Sequence, residues 1–286
     1  MRPRKSGYLF VAPYVVLLLV AGIYPMGYTL TLALTSFTAH FSGVTNFVKT
    51  WQNPTFLPAV GHICLFLVIW LTALVVLVVG LSLMLHSLDH RIGAAYRFLF
   101  YLPAALAGSA SVMLWLFMLQ PGLSPWSFVL NWFGLSTLGA VLAGGHLAAI
   151  FAVIAFWSGA GSWIVVMHGA LATIPTEVLE LAKVDGAGPW RTALTIKLPL
   201  IRRWIGYMLI GAFAAGTQLF AEPQLISEAT GGVLNQTWSP NQVAYNLSFH
   251  LGNFNYAAAV SVDLLAVALL SAVIILRRSG LFALDT

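Results

Sequence analysis

Residues 174–201 read Ile-Pro-Thr-Glu-Val-Leu-Glu-Leu-Ala-Lys-Val-Asp-Gly-Ala-Gly-Pro-Trp-Arg-Thr-Ala-Leu-Thr-Ile-Lys-Leu-Pro-Leu-Ile. They stand out as a polar-containing stretch in a chain that is otherwise strongly apolar. Thr176 follows Pro175 and precedes Glu177, so it is a predicted helix N-cap with an acid in the first turn. Val178, Leu179, Leu181 and Ala182 form a short apolar surface, and Asp185-Gly186 reads as a helix stop. Pro189-Trp190 then opens a second amphipathic segment that runs to Pro199. The expectation is two short helices joined by a glycine-enabled bend and held outside an apolar body. Such a surface suits docking of another protein. A re-entry loop whose apolar side rests on lipid is the competing reading.

The rest of the chain explains why that body is a membrane protein. Of 286 residues, 60% are hydrophobic and only 7% are charged, against about 25% charged in an ordinary soluble domain. So few charges cannot cover a water-facing surface. A helix needs roughly 20 apolar residues to cross a bilayer, and six segments qualify: about 8–35, 60–85, 98–119, 140–168, 204–226 and 256–276. Backbone polar groups in lipid must be satisfied within their own segment, so all six are predicted helical, with Pro13 and Pro25 as kinks in the first. The fold class is therefore an all-α membrane protein with six transmembrane helices. Residues 1–286 form one transmembrane domain, with a loop at about 169–203 between spans four and five.

Six spans put both termini on one side. Of the 13 Lys and Arg residues, that side receives all but Lys49: Arg2, Arg4, Lys5, Arg91, Arg97, Lys183, Arg191, Lys197, Arg202, Arg203, Arg277 and Arg278. The positive-inside rule makes it cytoplasmic. The same sorting explains the net charge of +5 without nucleic acid, since no single basic stripe exists. The apolar run after Lys5 exceeds the ~7–15 residues of a secretory signal core and is expected to be retained as the first span. Trp126, Phe128, Trp132 and Phe133 predict a short helix in the outer interface. Cys64 is the only cysteine and cannot form an intrachain disulfide. His86 and His90 could share a helical face but lack a third ligand, so no metal site is expected.

Within 174–201, Glu180, Ala182, Gly186, Ile196, Leu198 and Pro199 fall at the spacing Glu-x-Ala, three residues, Gly, nine residues, Ile-x-Leu-Pro. This resembles the loop by which permease subunits of binding-protein-dependent ABC importers grip their ATPase. Asp185-Gly186-Ala187 is similar to the family's Asp-Gly-Ala, while Leu181 stands where the family commonly has a second Ala. Tyr24-Pro25, Gly43-Val44-Thr45-Asn46-Phe47, Phe100-Tyr101-Leu102-Pro103 and Thr230-Gly231-Gly232 resemble further family segments. The resemblance is to the six-span carbohydrate and glycerol-3-phosphate type. It implies a docking loop comprising Glu177, Glu180, Leu181, Ala182, Asp185, Gly186, Ala187, Ile196, Leu198 and Pro199. It also implies a second, homologous permease, a separate ATPase dimer and an extracytoplasmic solute-binding protein, in a bacterial cytoplasmic membrane. No Gly-x4-Gly-Lys-Ser/Thr occurs in the chain, so the ATPase must be another protein, and neither enzymatic chemistry nor a cofactor is expected of this one.

Related permeases place solute contacts on the helices flanking the loop. Here those helices carry Trp157, Ser158, Gly159, Ser162 and Trp163 before it, and Gly216, Gln218 and Glu222 after it. Indole faces and small polar groups suit a sugar or polyol. Close helix packing by small residues, such as Ala212 and Gly216, is the plainer alternative. Asp263, inside the last span, is expected to face a cavity, a polar partner or the bundle interior. A second functional reading is an ion-coupled transporter acting alone, with Asp263 and Glu222 as coupling carboxylates. A third is an enzyme acting on lipid-linked sugars, but the only polar cluster is the 177–203 loop, whose interleaved apolar residues suit docking better.

Overall fold

In a computed structural model the described residues are 5–279 except 39, 107 and 144. Arg2 and Arg4 lie outside them. Five helices are long and apolar enough to cross a membrane: Phe10–Ala33, Phe56–His86, Leu147–Ala172, Pro189–Ala229 and Phe254–Ile274. A sixth span is available if His90–Ala105 and Ser109–Met118, which meet at 98°, count as one. These are the first, second, fourth, fifth, last and (for the bent pair) third spans.

The expected third span is thus broken near its middle. Pro103, inside the first piece, has no backbone N–H for the ladder and crowds the preceding turn. Gly108 then takes φ +73°, a region closed to most side chains. Two other prolines are absorbed without a break. Ahead of Pro25 the turn Leu18–Ile23 widens into π-helix, and the Tyr24 N–H reaches back to the Leu19 carbonyl. Ahead of Pro199 the turn Ala193–Lys197 does the same, with the Leu198 N–H donating to Ala193. A five-residue hydrogen-bond step gives the proline ring room where a four-residue step would clash.

The fourth span lies at the centre, packed against the second, the fifth and the His90–Ala105 piece of the third. Its Phe151, Ile154, Ile164, Met167 and Leu171 are fully buried. A Cβ on Gly161 would run into the Phe100 carbonyl, so glycine there lets the third and fourth spans approach closely. The first span is peripheral: its Tyr24–Ala33 part packs on the last span, and no residue of Leu18–Ile23 is buried. Asn46 ties its end down, donating from Nδ2 to the carbonyls of Ala33 and Thr35 at 2.9 Å each. This accounts physically for the Asn in the Gly43–Phe47 segment: it satisfies carbonyls that a helix end leaves open. Ser127–Trp132 forms the expected short helix, with Trp126, Phe128, Trp132 and Phe133 all exposed.

Candidate functional site: a glycine-stopped loop helix and a pocket at the end of the fifth span

The loop after the fourth span forms one helix, Thr176–Val184. Its cap is Pro175 in extended conformation, with no side-chain cap bond. Thr176 is therefore the first helical residue rather than the predicted N-cap, because Pro175 already turns the chain. The stop is as expected in kind. The Gly186 N–H donates to Lys183, the Ala187 N–H donates to Ala182, and Gly186 takes φ +74°. This paired pattern is a Schellman ending, in which a left-handed glycine lets two orphan carbonyls be satisfied. The second segment differs from expectation. Pro189–Thr192 passes through the widened turn before Pro199 into Leu198–Thr217, so it continues into the fifth span and is not a separate short helix.

The helix turns only part of its apolar surface inward. Ala182 is buried and Leu179 packs on the core. Leu181 is 65% exposed, Val184 84% and Trp190 77%. Glu177, Glu180 and Asp185 are exposed around them, Ala187, Ile196 and Leu198 are half-buried, and Pro199 is exposed. Reading the sequence alone grouped Leu179 and Ala182 with the outward surface and missed Val184 and Trp190. The register of the helix against the body assigns them, and only packing fixes that register.

The residues proposed from the flanking spans do not converge on one wall. Trp157 stands edge-on to Trp115 at 5.7 Å and lines an almost wholly apolar cavity of about 840 Å³ with Trp126, Phe133 and His146. Trp163, six residues later, faces the fifth span, against Tyr207 and over Gly211. Ser158 Oγ donates to the Ile154 carbonyl of its own helix at 3.0 Å, and Ser162 is exposed. Gly159 faces open space, whereas a Cβ on Gly216 would meet Leu67 and Trp70 of the second span. Gly216 therefore makes a helix contact, as Ala212, also buried, does one turn earlier.

Gln218 belongs instead to a polar pocket of about 330 Å³ where the fifth span ends, with Phe220, Asn241, Tyr245, Ser248, Phe249 and Ser261. Asn241 is pinned by donating to the Thr217 carbonyl at 3.1 Å. Tyr245 packs at a tilt against Phe249, with ring centres 4.9 Å apart, and against Phe220 at 5.3 Å. Aromatic faces beside amide and hydroxyl groups match the surface of a polyhydroxylated ring. Asn241, Tyr245 and Ser248 carried no sequence signal, because they come from the segment after the fifth span, which no periodicity ties to it. Glu222 is half-buried in the first turn of Ala221–Ala229. Asp263 is half-buried, and its Oδ2 has no hydrogen-bond partner among the described residues. His86 ends one helix and His90 opens the next, so the two do not share a helical face.

An all-helical membrane body, with a glycine-stopped loop helix between its fourth and fifth spans, defines a class of transport permease. The chain belongs to the family of binding-protein-dependent transport system inner membrane components, which matches residues 87–280. It is a permease subunit of an ABC importer of the inner membrane. It is 30% identical over 278 residues to the lactose transport system permease protein LacF of Rhizobium radiobacter, covering 93% of this chain and 91% of that one. It is 28% identical to the sn-glycerol-3-phosphate transport system permease protein UgpA of Salmonella choleraesuis, covering 96% and 94%. The fold is shared with a chain in the crystal structure of a bacterial ABC transporter involved in the import of the acidic polysaccharide alginate. That match has a TM-score of 0.83 at 21% identity and covers 96% of this chain and 95% of the other.

Proposed function

We propose that this permease carries a carbohydrate or related polyol inward, that its loop helix docks on a separate ATPase, and that both termini and the loop are cytoplasmic. The observation that carries the proposal is the exposed pair Leu181 and Val184 on the helix that stops at Gly186, with the exposed Trp190 just past that bend. Large apolar side chains held exposed on both sides of a closed helix stop are a surface waiting for a protein partner. Nucleotide-driven closure of the ATPases would move this helix as a rigid lever and switch the spans between inward- and outward-facing states. Glu177, Glu180 and Asp185 ring Leu181, Val184 and Trp190 and would set their register on the ATPase, while Ile196, Leu198 and Pro199 would join the lever to the fifth span.

The solute class is supported by the sugar- and polyol-type names of the relatives and by the pocket at Gln218, Asn241 and Tyr245. The solute would arrive on an extracytoplasmic binding protein. It would pass between this chain, residues 1–286 acting as one transmembrane domain, and a second permease. The unburied first span, Phe10–Ala33, offers surface for that second permease. Family membership weighs against a lone ion-coupled transporter.

The test is uptake of a labelled disaccharide by cells expressing the complete importer. Leu181→Asp combined with Trp190→Ala should abolish ATP-dependent uptake and release the ATPase on purification, while the permease still reaches the membrane. Full uptake by that variant would sink the docking role.

A further inference from the structure

Where the second to fifth spans meet on the loop side, four basic side chains converge. Lys197 Nζ donates to His86 Nδ1 at 3.1 Å, and Arg97 Nη1 donates to His168 Nδ1 at 3.4 Å. The two imidazoles are 5.7 Å apart, centre to centre. Lysine and arginine have no acceptor, so each ring must present a bare nitrogen lone pair and hence be neutral. Neither histidine can then balance the charges of Lys197 and Arg97, and neither adds to them. His90 and Lys183 lie close enough to contribute to the same field. Among the described residues no carboxylate bonds any of the four. Asp89, nearby in sequence, is exposed and makes no cap bond.

Two half-buried cations brought to one cluster without an anion are expensive. We propose that the cluster of Lys197, His86, His168 and Arg97 holds the phosphate of an anionic phospholipid headgroup. Depth favours a lipid over an acidic group of a docking protein. His168 lies one turn inside the end of the fourth-span helix at Ala172, or ~6 Å at 1.5 Å per residue. A helix of 26 residues is ~39 Å long against a hydrocarbon core of about 30 Å, so a group one turn inside its end falls near the edge of that core. The loop helix and the exposed Leu181, Val184 and Trp190 lie beyond that helix end in sequence. Basic pockets between spans on the cytoplasmic side are suited to lipid phosphates. Because Lys197 sits in the widened turn that joins loop to fifth span, a bound headgroup would brace the base of the lever. The inference rests on the loop being cytoplasmic.

The experiment is native mass spectrometry of the full-length chain in detergent, with equal amounts of phosphatidylglycerol or phosphatidylcholine. Phosphatidylglycerol should be retained in preference. Arg97→Gln with Lys197→Gln should weaken that retention roughly thirtyfold, which is about 1 kcal/mol for each basic residue removed. Arg97→Lys with Lys197→Arg should keep it, and so should Lys49→Gln on the opposite side. Equal retention of the two lipids, or no loss in the double glutamine variant, overturns the site. Binding of inorganic phosphate alone with the same dependence on Arg97 and Lys197 overturns the lipid as its source. The orientation is tested separately by labelling Trp190→Cys in sealed cells, in a Cys64→Ser background because Cys64 is an exposed free thiol. Labelling from outside would defeat the cytoplasmic loop while leaving the lipid measurement interpretable.

Discussion

Two nine-residue helices in this protein end in the same way and are used in opposite ways. Thr176–Val184 stops at Gly186, and Ala221–Ala229 stops at Gly231 with φ +63°. In the second, the Gly231 N–H donates to Glu228 and the Gly232 N–H to Ser227, the same Schellman pair seen at Gly186 and Ala187. Around Ala221–Ala229 the chain completes the packing itself. Pro223, Gln224, Ile226 and Ser227 are buried. Ser227 Oγ donates to the Leu234 carbonyl at 2.8 Å, and Gln242 Nε2 donates to Gln224 Oε1 at 3.2 Å. Ser239 and Gln242 close a capping box on each other. Around Thr176–Val184 only Ala182 is fully buried, with Leu179 packed beside it, and Leu181 and Val184 face out. One local device therefore yields a finished structural corner in one place and an uncompleted surface in the other. The difference lies in what surrounds the helix, not in how it ends.

That contrast can be broken most forcefully on the finished side. Gln242→Ala removes the capping box and strands Gln224 Oε1, at about 1–3 kcal/mol for each buried group left unpaired. The expected result is a clear drop in unfolding temperature in detergent. An unchanged melt would mean that the network contributes little to holding the corner. Next, valine at either glycine stop meets a positive φ, with backbone strain of about 1–3 kcal/mol. Gly231→Val should lower thermal stability. Gly186→Val should leave the melt of the bundle nearly unchanged and instead uncouple uptake from ATP hydrolysis. Similar stability losses from both would erase the proposed distinction.

Ala182→Leu probes the one fully buried contact of the loop helix, which Leu179 supports. Extra volume at a packed site costs about 1–3 kcal/mol, but a helix held by two side chains can lift away. The expected outcome is faster proteolysis confined to the loop, read by limited digestion, with the bundle intact. The smallest stability effect is expected for Leu181→Asp, within about 0.5 kcal/mol because the side chain is exposed. Its loss should appear only in recovery of the ATPase on purification.

Much of the architecture was legible beforehand, for identifiable reasons. Bilayer thickness forces long apolar runs, so the first, second, fourth and last spans announce themselves in composition. The stop at Asp185-Gly186 was legible because left-handed backbone all but demands glycine. Prolines were less transparent: Pro103 accompanies a break while Pro25 and Pro199 follow widened turns, and residue type alone does not distinguish these outcomes. Gly216 suited a solute contact or close helix packing equally on sequence, and it is a packing contact because Leu67 and Trp70 arrive from a distant part of the sequence. Trp157 and Trp163 looked like one cluster and face different neighbours, since six residues place two side chains about a third of a circle apart on a helix.

The amino-acid order by itself determined that this chain crosses a membrane, where its basic residues gather and where its loop helix stops. Those properties depend on transfer from water and on backbone sterics, both local to a segment. Only the tertiary structure decided that Leu181, Val184 and Trp190 face outward, that Gln218 shares a pocket with Asn241 and Tyr245, and that Lys197 meets His86 while Arg97 meets His168. Each of those arrangements depends on which helix faces lie against one another, and that is set by packing between residues far apart in the chain.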